Sequence, residues 1–171
     1  ARIVFQGLEG AYSQEAMEQF FGENCDSFHV DTWKDAMEAI RTGKADYAVL
    51  PIENSSAGMV SEMYELLLDF ENYIVGEVVL PVDHALSGIE GASISTIQRV
   101  YSHPQALMQC SRYLDAHREW EKHSCKNTAM ASQKVKEDGK IHKAAIASKL
   151  NAKIYGLQVL EEAIQDNKDN Y

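Results

Sequence analysis

The sequence predicts an α/β protein built as a two-lobed clamshell with two strands crossing at its hinge. Apolar periodicity alternates between short strand-like runs and helical runs from near the start of the chain to its end. Two longer extended segments, residues 73–86 and 157–164, interrupt this alternation and are the candidates for the crossing strands. In such a fold the ligand cleft lies between the lobes, at the carboxyl ends of the strands.

The first lobe is predicted to be a βαβαβα unit. Its strands are residues 2–5, 27–30 and 47–52. Each helix is predicted from apolar residues three or four positions apart: Ala16, Met17, Phe20 and Phe21 in the first, Trp33, Ala36, Met37 and Ile40 in the second, and Met59, Met63, Leu66, Leu67 and Phe70 in the third. Gly22 and Gly43 are the expected stops of the first two helices, and Asp31 or Thr32 is the expected cap of the second.

The second lobe repeats the alternation. Its predicted strands are residues 97–101, 120–123 and 144–147, and its predicted helices are residues 104–117, 128–137 and 148–155. If the final extended segment crosses back, the first lobe comprises residues 1–80 plus 160–171 and the second lobe comprises residues 81–159.

Composition narrows the class of protein. The chain has 171 residues, of which 45% are hydrophobic and 25% charged, which is ordinary for a soluble globular protein. No apolar run approaches the roughly 20 residues of a membrane helix, and the N-terminus lacks a secretory signal. The three cysteines, Cys25, Cys110 and Cys125, are odd in number and far apart, which favours reduced thiols and a cytoplasmic protein.

Charge limits the partners. There are 26 acidic and 16 basic residues, a formal net charge of -10, and the basic residues are scattered. Nucleic acid is therefore excluded as an expected partner, because phosphate binding needs a basic face. An anionic ligand would have to be held by local hydrogen-bond donors. The six histidines show no metal-ligand spacing, so no metal is predicted.

Four polar clusters lie where a predicted strand ends and a helix begins. They are residues 7–13 (GLEGAYS), 51–58 (PIENSSAG), 101–105 (YSHPQ) and 127–129 (NTA). Each would place backbone N–H groups and a hydroxyl or amide at the positive end of a helix, which binds a carboxylate without a cationic side chain.

Each cluster also has a structural explanation when it is taken alone. Gly7 and Gly10 suit a tight turn, and their spacing is not that of the phosphate-binding GxGxxG loop. Ser13 and Thr128 are expected helix N-caps, and His103 beside Pro104 also suits an incidental surface position. Nucleophilic catalysis is not indicated, because there is no GxSxG elbow and no cysteine with a marked histidine partner.

Taken together, the clusters resemble the catalytic domain of prephenate dehydratase over essentially all 171 residues. GLEGAYS is similar to the family's Gly-Pro-x-Gly-Thr-Phe-Ser, PIENSSAG to its Pro-Ile-Glu-Asn-Ser, and YSHPQALMQC to its Ser-His-Pro-Gln segment. VVLPVDHAL is similar to the crossing segment, and GLQVLEEAIQDNKDN to the approach to the Thr-Arg-Phe motif. The order and spacing make the combination specific, although no single piece is.

Two departures from the family pattern stand out. Ala11 and Tyr12 occupy the positions where Thr and Phe are common, so the first loop lacks a hydroxyl. The sequence stops at Tyr171, before the expected Thr-Arg-Phe, whose Thr the family is thought to use in catalysis. A truncated chain without an ACT domain is therefore the expectation, and its activity depends on the motif that is absent.

The resemblance implies conversion of prephenate to phenylpyruvate, with loss of water and carbon dioxide, and no cofactor. The implied substrate ligands are Gly10, Ala11, Ser13, Asn54, Ser55, Ser102, Gln105, Thr128 and Ala129. Glu53 and His103 have supporting roles in orienting the acid or tuning its pKa. The implied partners are prephenate, a second copy in a homodimer, and a fused ACT or chorismate mutase domain in the natural protein.

Two other functions stay open at this stage. One is arogenate dehydratase, whose substrate carries an amine in place of the keto group. The other is a non-catalytic domain that binds small anions, because the predicted clamshell is similar to type II periplasmic binding proteins. Measurement of phenylpyruvate formation would discriminate between an enzyme and a binding module.

Overall fold

The computed structural model describes residues 1–54 and 58–168, and it divides the chain into two compact units. The first unit ends at Pro81 and the second begins at Val82. Both units combine β-strands with flanking α-helices, and the second has a mixed sheet, so the predicted α/β class is confirmed.

The first unit contains a parallel sheet of three strands in the order β2-β1-β3. These are β1 (Arg2–Gln6), β2 (Asp26–Val30) and β3 (Tyr47–Val49), and a second small sheet pairs β4 (Glu53–Asn54) with β5 (Gly58–Met59). The helices are α1 (Tyr12–Phe21), α2 (Trp33–Arg41) and α3 (Ser61–Phe70).

The apolar residues of β1 form the centre of the first unit. Val4 packs with residues of α2 on one side of the sheet, whereas Ile3 and Phe5 pack with Met17 of α1 on the other. Residues on both faces of β1 are buried because α1 and α2 cover opposite sides of the parallel sheet. The carboxyl ends of the three strands consequently lie at one edge, where the polar loops follow.

The second unit contains a five-stranded mixed sheet in the order β10-β6-β9-β7-β8. Its strands are β6 (Ala85–Gly88), β7 (Arg99–Ser102), β8 (Glu121–Ser124), β9 (Lys143–Ala147) and β10 (Gln158–Glu161). The helices are α4 (Pro104–Gln109), α5 (Ser111–Asp115), α6 (Thr128–Asp138) and α7 (Lys149–Ile154), and a short 3-10 helix covers Ile94–Thr96.

Apolar side chains pack against both faces of this sheet. Leu86, Val100 and Ile146 belong to one cluster, which includes Trp120, whereas Tyr101 and Ala145 pack with Val135 of α6 on the opposite face. Alternate residues of one strand therefore enter different cores, as the two-residue period of a strand requires. Within the described residues, every helix is too short or too polar to cross a membrane.

One predicted helix is two helices in the structure. The apolar pattern predicts continuity over residues 104–117, but the chain leaves helical geometry at Cys110, whose φ is -110° and ψ is 22°. Cys110 is fully buried, and the carboxylate of Asp166 bonds the first residues of α5. Asp166 is 55 residues from Ser111 in the sequence, so the apolar periodicity of residues 104–117 could not predict this break.

The two extended segments also differ from their prediction. Within the described residues, 72–84 form no strand, and pairing begins only at Ala85. The later segment forms β10, which pairs antiparallel with β6 of the same unit. Residues 160–168 therefore belong to the second unit, whereas the sequence assigned residues 160–171 to the first lobe.

Two predicted helix caps are shifted. Ala11, not Ser13, is the N-cap residue of α1, and it has no side chain that could cap. Asn127, not Thr128, caps α6, because its extended backbone lets its Oδ1 accept a hydrogen bond from Met130 N at 2.8 Å. Ser13 and Thr128 consequently lie inside the first helical turns.

Candidate functional site

In the second unit, three parallel strands bring polar residues to one edge of the sheet. Ser102 at the end of β7 pairs with Ser124 at the end of β8, and Tyr101 pairs with Ala145 of β9. Helices α4, α6 and α7 begin within a few residues of these strand ends. The edge therefore collects helix N-termini, which favours binding of an anion.

The first turn of α6 offers two open donors. Asn127 caps this turn through Met130 N, and Ala131 N bonds the carbonyl of Asn127. The N–H groups of Thr128 and Ala129 have no acceptor among the described residues. Ala129 is 2% exposed and Thr128 is half-buried. A carboxylate placed here would receive two neutral donors in a partly desolvated position.

The start of α4 uses a histidine as its cap. Nδ1 of His103 accepts a hydrogen bond from the backbone N–H of Gln105 at 3.1 Å, and Pro104 occupies the first helical position. Nδ1 must be unprotonated to accept, so the neutral ring carries its proton on Nε2. The Nε2–H of His103 and the side-chain amide of Gln105 are thus the groups that could reach a ligand.

The side chain of Ser102 is hydrogen-bonded within the sheet. It is fully buried, and its hydroxyl donates to the carbonyl of Ile146 on the neighbouring strand at 2.6 Å. Its own carbonyl accepts from Cys125 N. The hydroxyl proton is therefore used within the sheet, and a ligand would have to exchange with Ile146 or donate to the Ser102 oxygen. The assignment of Ser102 as a substrate ligand stays a prediction. A hydroxyl at the end of a strand looks the same in sequence whether it faces a ligand or another strand.

In the first unit, the loop after β1 contains two glycines with positive φ, Gly7 at 110° and Gly10 at 90°. The N–H of Gly10 donates to Oε1 of Gln14 at 2.6 Å, and Ala11 N donates to the carbonyl of Leu8. Both N–H groups are therefore used within the loop, and a ligand would have to exchange with Gln14 to reach Gly10. Ser13 lies in the first turn of α1, which follows this loop.

The signature around residue 53 is partly described. Glu53 is exposed and pairs with Met59 in the small sheet, and the backbone of Asn54 pairs with Gly58. Ser55 lies outside the described residues. Glu53 and Asn54 are in the same unit as Gly10, whereas His103, Gln105, Thr128 and Ala129 are in the second unit.

Sequence reasoning missed several polar residues near these strand ends. Gln6 uses its side-chain amide twice: Nε2 donates to the carbonyl of Asp31, and Oε1 accepts from Nε1 of Trp33. His84, to which the sequence assigned no role, is buried, and its Nε2 lies 2.7 Å from Oε1 of Gln109. The signal available in the sequence was a polar residue at or next to the end of a strand, but this signal does not identify the hydrogen-bond partner.

Burial sets the protonation of several groups in the second unit. It raises the pKa of the Cys110 thiol to about 12 and also raises the pKa of Cys125, so both thiols stay protonated at neutral pH. Burial lowers the pKa of His84, although Gln109 and Asp83 oppose this effect. Among the described residues, no group of three or more His, Cys, Asp or Glu side chains could hold a metal ion.

Comparison with known proteins defines the class. The family model for prephenate dehydratase matches residues 3–171, so the chain belongs to the prephenate dehydratase family, as the resemblance predicted. The bifunctional chorismate mutase/prephenate dehydratase of Escherichia coli K12 is 38% identical over 174 residues, which cover 100% of this chain and 45% of that protein. The chloroplastic arogenate dehydratase/prephenate dehydratase 1 of Arabidopsis thaliana is 45% identical over 169 residues, which cover 99% and 43%.

A solved structure shows the same fold. The prephenate dehydratase of Arthrobacter aurescens in complex with L-Phe aligns with a TM-score of 0.88 and 29% identity, over 99% of this chain and 57% of that chain. This chain thus spans less than half the length of the two curated relatives.

Proposed function

We propose that the protein converts prephenate to phenylpyruvate, water and carbon dioxide. The observation that carries this proposal is the match of the family model to residues 3–171, which include every polar cluster at the strand ends. In the reaction, the ring carboxylate leaves as CO2, and the electrons of the broken C–C bond form the new ring double bond. The ring hydroxyl leaves with a proton as water.

Neutral donors suit the carboxylate that is lost. A cationic side chain on this group would stabilise the ground state more than the transition state, because the charge disappears during the reaction. The open N–H groups of Thr128 and Ala129, the Thr128 hydroxyl and the Gln105 amide support this proposal, since none carries a formal charge. Gly10, Ala11, Ser13, Asn54 and Ser55 are the proposed ligands from the first unit.

Departure of the hydroxyl requires proton donation or a strong hydrogen bond. In the proposed mechanism, His103 and Glu53 support this step by orienting the acid or tuning its pKa. The Nε2–H that follows from the capping bond of His103 supports its part, and the exposed position of Glu53 leaves its carboxylate accessible. The ring of the substrate accepts the electrons, so no cofactor is proposed.

Arogenate is the second candidate substrate. It is supported by 45% identity to the Arabidopsis relative whose name includes both arogenate and prephenate dehydratase. The two substrates differ where a keto group is replaced by an amine, so a chain that prefers arogenate needs an acceptor or a negative charge there.

Assembly and location belong to the same proposal. A homodimer is proposed from the resemblance, and fusion to a mutase or ACT domain is supported by the bifunctional relative and by the relatives' greater length. A cytoplasmic location is supported by the three cysteines expected to be reduced.

The test measures both reactions with the natural full-length protein. We expect phenylpyruvate to form from prephenate and phenylalanine from arogenate, with the larger kcat/KM identifying the substrate. Thr128→Val should raise KM about tenfold, which corresponds to about 1.4 kcal/mol, the worth of one neutral hydrogen bond. Calorimetric binding of prephenate without either product would instead establish a binding module and overturn the enzymatic proposal.

A further inference from the structure

The two chain segments at which the second unit begins and ends are bonded to each other. The carbonyl of His84 accepts from Ile164 N at 3.0 Å. The side-chain amide of Gln165 makes two further hydrogen bonds between these segments. Its Oε1 accepts from His84 N at 3.0 Å, and its Nε2 donates to Oδ1 of Asp83 at 2.8 Å. We call Asp83, His84, Gln165 and Asp166 the polar clamp.

Two members of the clamp, His84 and Gln165, are buried, whereas Asp83 and Asp166 are half-buried, so the bonds of the Gln165 amide are the costly ones to lose. His84 is 2% exposed and Gln165 is 3% exposed. A buried amide that loses one partner pays the desolvation cost of the group left unpaired, which exceeds the net worth of a solvent-exposed hydrogen bond. Both ends of the Gln165 amide are used on the segment 83–84, so its orientation is determined by one donor and one acceptor.

The clamp also holds the junction of α4 and α5. Nε2 of His84 lies 2.7 Å from Oε1 of Gln109, the last residue of α4, and Asp166 N donates to the Gln109 carbonyl at 2.7 Å. The carboxylate of Asp166 accepts from Oγ of Ser111 at 2.6 Å and from Arg112 N at 2.9 Å, at the start of α5.

We propose that Gln165 is a positioning residue for the dehydratase reaction, which it serves by holding α4 through the clamp. The inference rests on the proposed function, because Gln105 in the first turn of α4 is a proposed substrate ligand. Helix α4 has six residues and is about 9 Å long, so a displacement at Gln109 moves Gln105 as well. Gln165 itself need not touch the substrate.

An exchange of donor and acceptor tests the clamp. Gln165→Glu places a carboxylate opposite Asp83, so the donor is lost and two like charges face each other. Asp83→Asn combined with Gln165→Glu restores one donor and one acceptor in the reverse direction. Asp83→Asn alone keeps an oxygen that accepts from Gln165 and should have little effect. Gln165→Met removes both bonds without adding a charge, and it replaces Gln165→Glu if that variant does not fold.

Two measurements on the natural full-length protein are needed. Hydrogen exchange of the Leu107 and Cys110 amides, which bond within α4, reports whether the helix is held. Steady-state kinetics, measured at a temperature where every variant is folded, shows through KM and kcat whether Gln105 is still correctly positioned. Thr96→Val is the matched control, because it removes bonds to Ser93 and Ile141 before the start of β7, whereas α4 follows the end of that strand. It should lower stability without changing KM.

We expect Gln165→Glu and Gln165→Met to speed exchange of these amides and to raise KM about tenfold with a smaller change in kcat. The double variant should return both to within about threefold of the parent. Unchanged α4 exchange, unchanged KM in the single variants, or a double variant no better than Gln165→Glu overturns the inference. A parent without either dehydratase activity overturns the proposed function, whereas the exchange data still decide whether the clamp holds α4.

Discussion

Hydrogen-bond donors at the strand ends fall into two groups, used and open. Gly10 N–H is used by Gln14, and the Ser102 hydroxyl by Ile146. The N–H groups of Thr128 and Ala129 are open among the described residues. Because a carboxylate gains most from donors that have no other partner, the first turn of α6 is the strongest part of the proposed site in the second unit.

The hydrogen bond from Ser102 to the carbonyl of Ile146 predicts how a substitution of this residue affects stability. Ser102→Ala should lower the free energy of unfolding by about 1–3 kcal/mol, because the buried carbonyl of Ile146 loses a donor. KM and kcat of the folded enzyme should stay within about twofold of the parent. Urea denaturation and steady-state kinetics measure these effects.

Ser124→Ala is the matched control, since Ser124 occupies the paired register position on β8 and is exposed. Its free energy of unfolding should change by less than about 0.5 kcal/mol. A large rise in KM for Ser102→Ala at unchanged stability would instead support Ser102 as a substrate ligand.

Helix α6 contributes both to the stability of the second unit and to the proposed substrate site. Its 11 residues begin after a side-chain cap from Asn127, end at Gly139 in left-handed geometry, and bury Ala129, Ala131, Ser132 and Val135. The cap satisfies Met130 N, and the N–H groups of Thr128 and Ala129, which have no acceptor among the described residues, stay available for a ligand. A change at the cap should therefore separate helix stability from substrate affinity.

Substitutions of Asn127 test this separation. Asn127→Ala should cost about 1 kcal/mol of stability, because the cap is lost. Asn127→Asp should keep the cap and the stability but raise KM severalfold, since a carboxylate beside the open donors repels an anionic substrate. Asn127→Ser is the neutral control and should keep both. Thermal unfolding and kinetics measure the set, and equal KM for the Asp and Ser variants would contradict an anion site here.

On the scale of the whole molecule, stability should depend on pH through His84. Burial lowers its pKa in the folded state, against the opposing effects of Gln109 and Asp83. A group with a lowered folded pKa contributes stability above its unfolded pKa, near 6.5, and this contribution is lost as pH falls toward the folded value.

We therefore expect the free energy of unfolding to fall between about pH 7.5 and 5.5, by at most about 1.4 kcal/mol per pH unit from this residue. His84→Gln, which does not titrate, should show a flatter profile in urea denaturation. Asp138, whose pKa is lowered by Lys143 and Lys134, loses its contribution only below about pH 4, outside this window. Equal slopes for the parent and His84→Gln would show that His84 does not set the profile.

Several features of the fold followed from local pattern. The predicted strand at residues 144–147 is Lys143–Ala147, and the helix at 128–137 is Thr128–Asp138. The stop at Gly22 and the cap at Thr32 were also correct. These features depend on the spacing of apolar residues and on single glycine or capping residues, which neighbouring sequence determines.

Contacts between residues far apart in the sequence could not be predicted from local patterns. The pairing of β10 with β6 joins residues about 70 positions apart, and the break between α4 and α5 depends on Asp166. In the candidate site, the cluster positions were predictable, but the use of Ser102 and Gly10 by Ile146 and Gln14 was not. A sequence shows that a group can donate, whereas the folded chain decides to which atom it donates.

By itself, the sequence determined the α/β class, the acidic character that requires neutral donors for an anion, and membership of the prephenate dehydratase family. Only the tertiary structure decided where the second unit begins and ends, which donors are already used, and that Gln165 joins the segments at its two ends. The physical reason is that periodicity and composition are local or additive, whereas hydrogen-bond partners and burial arise when distant segments meet.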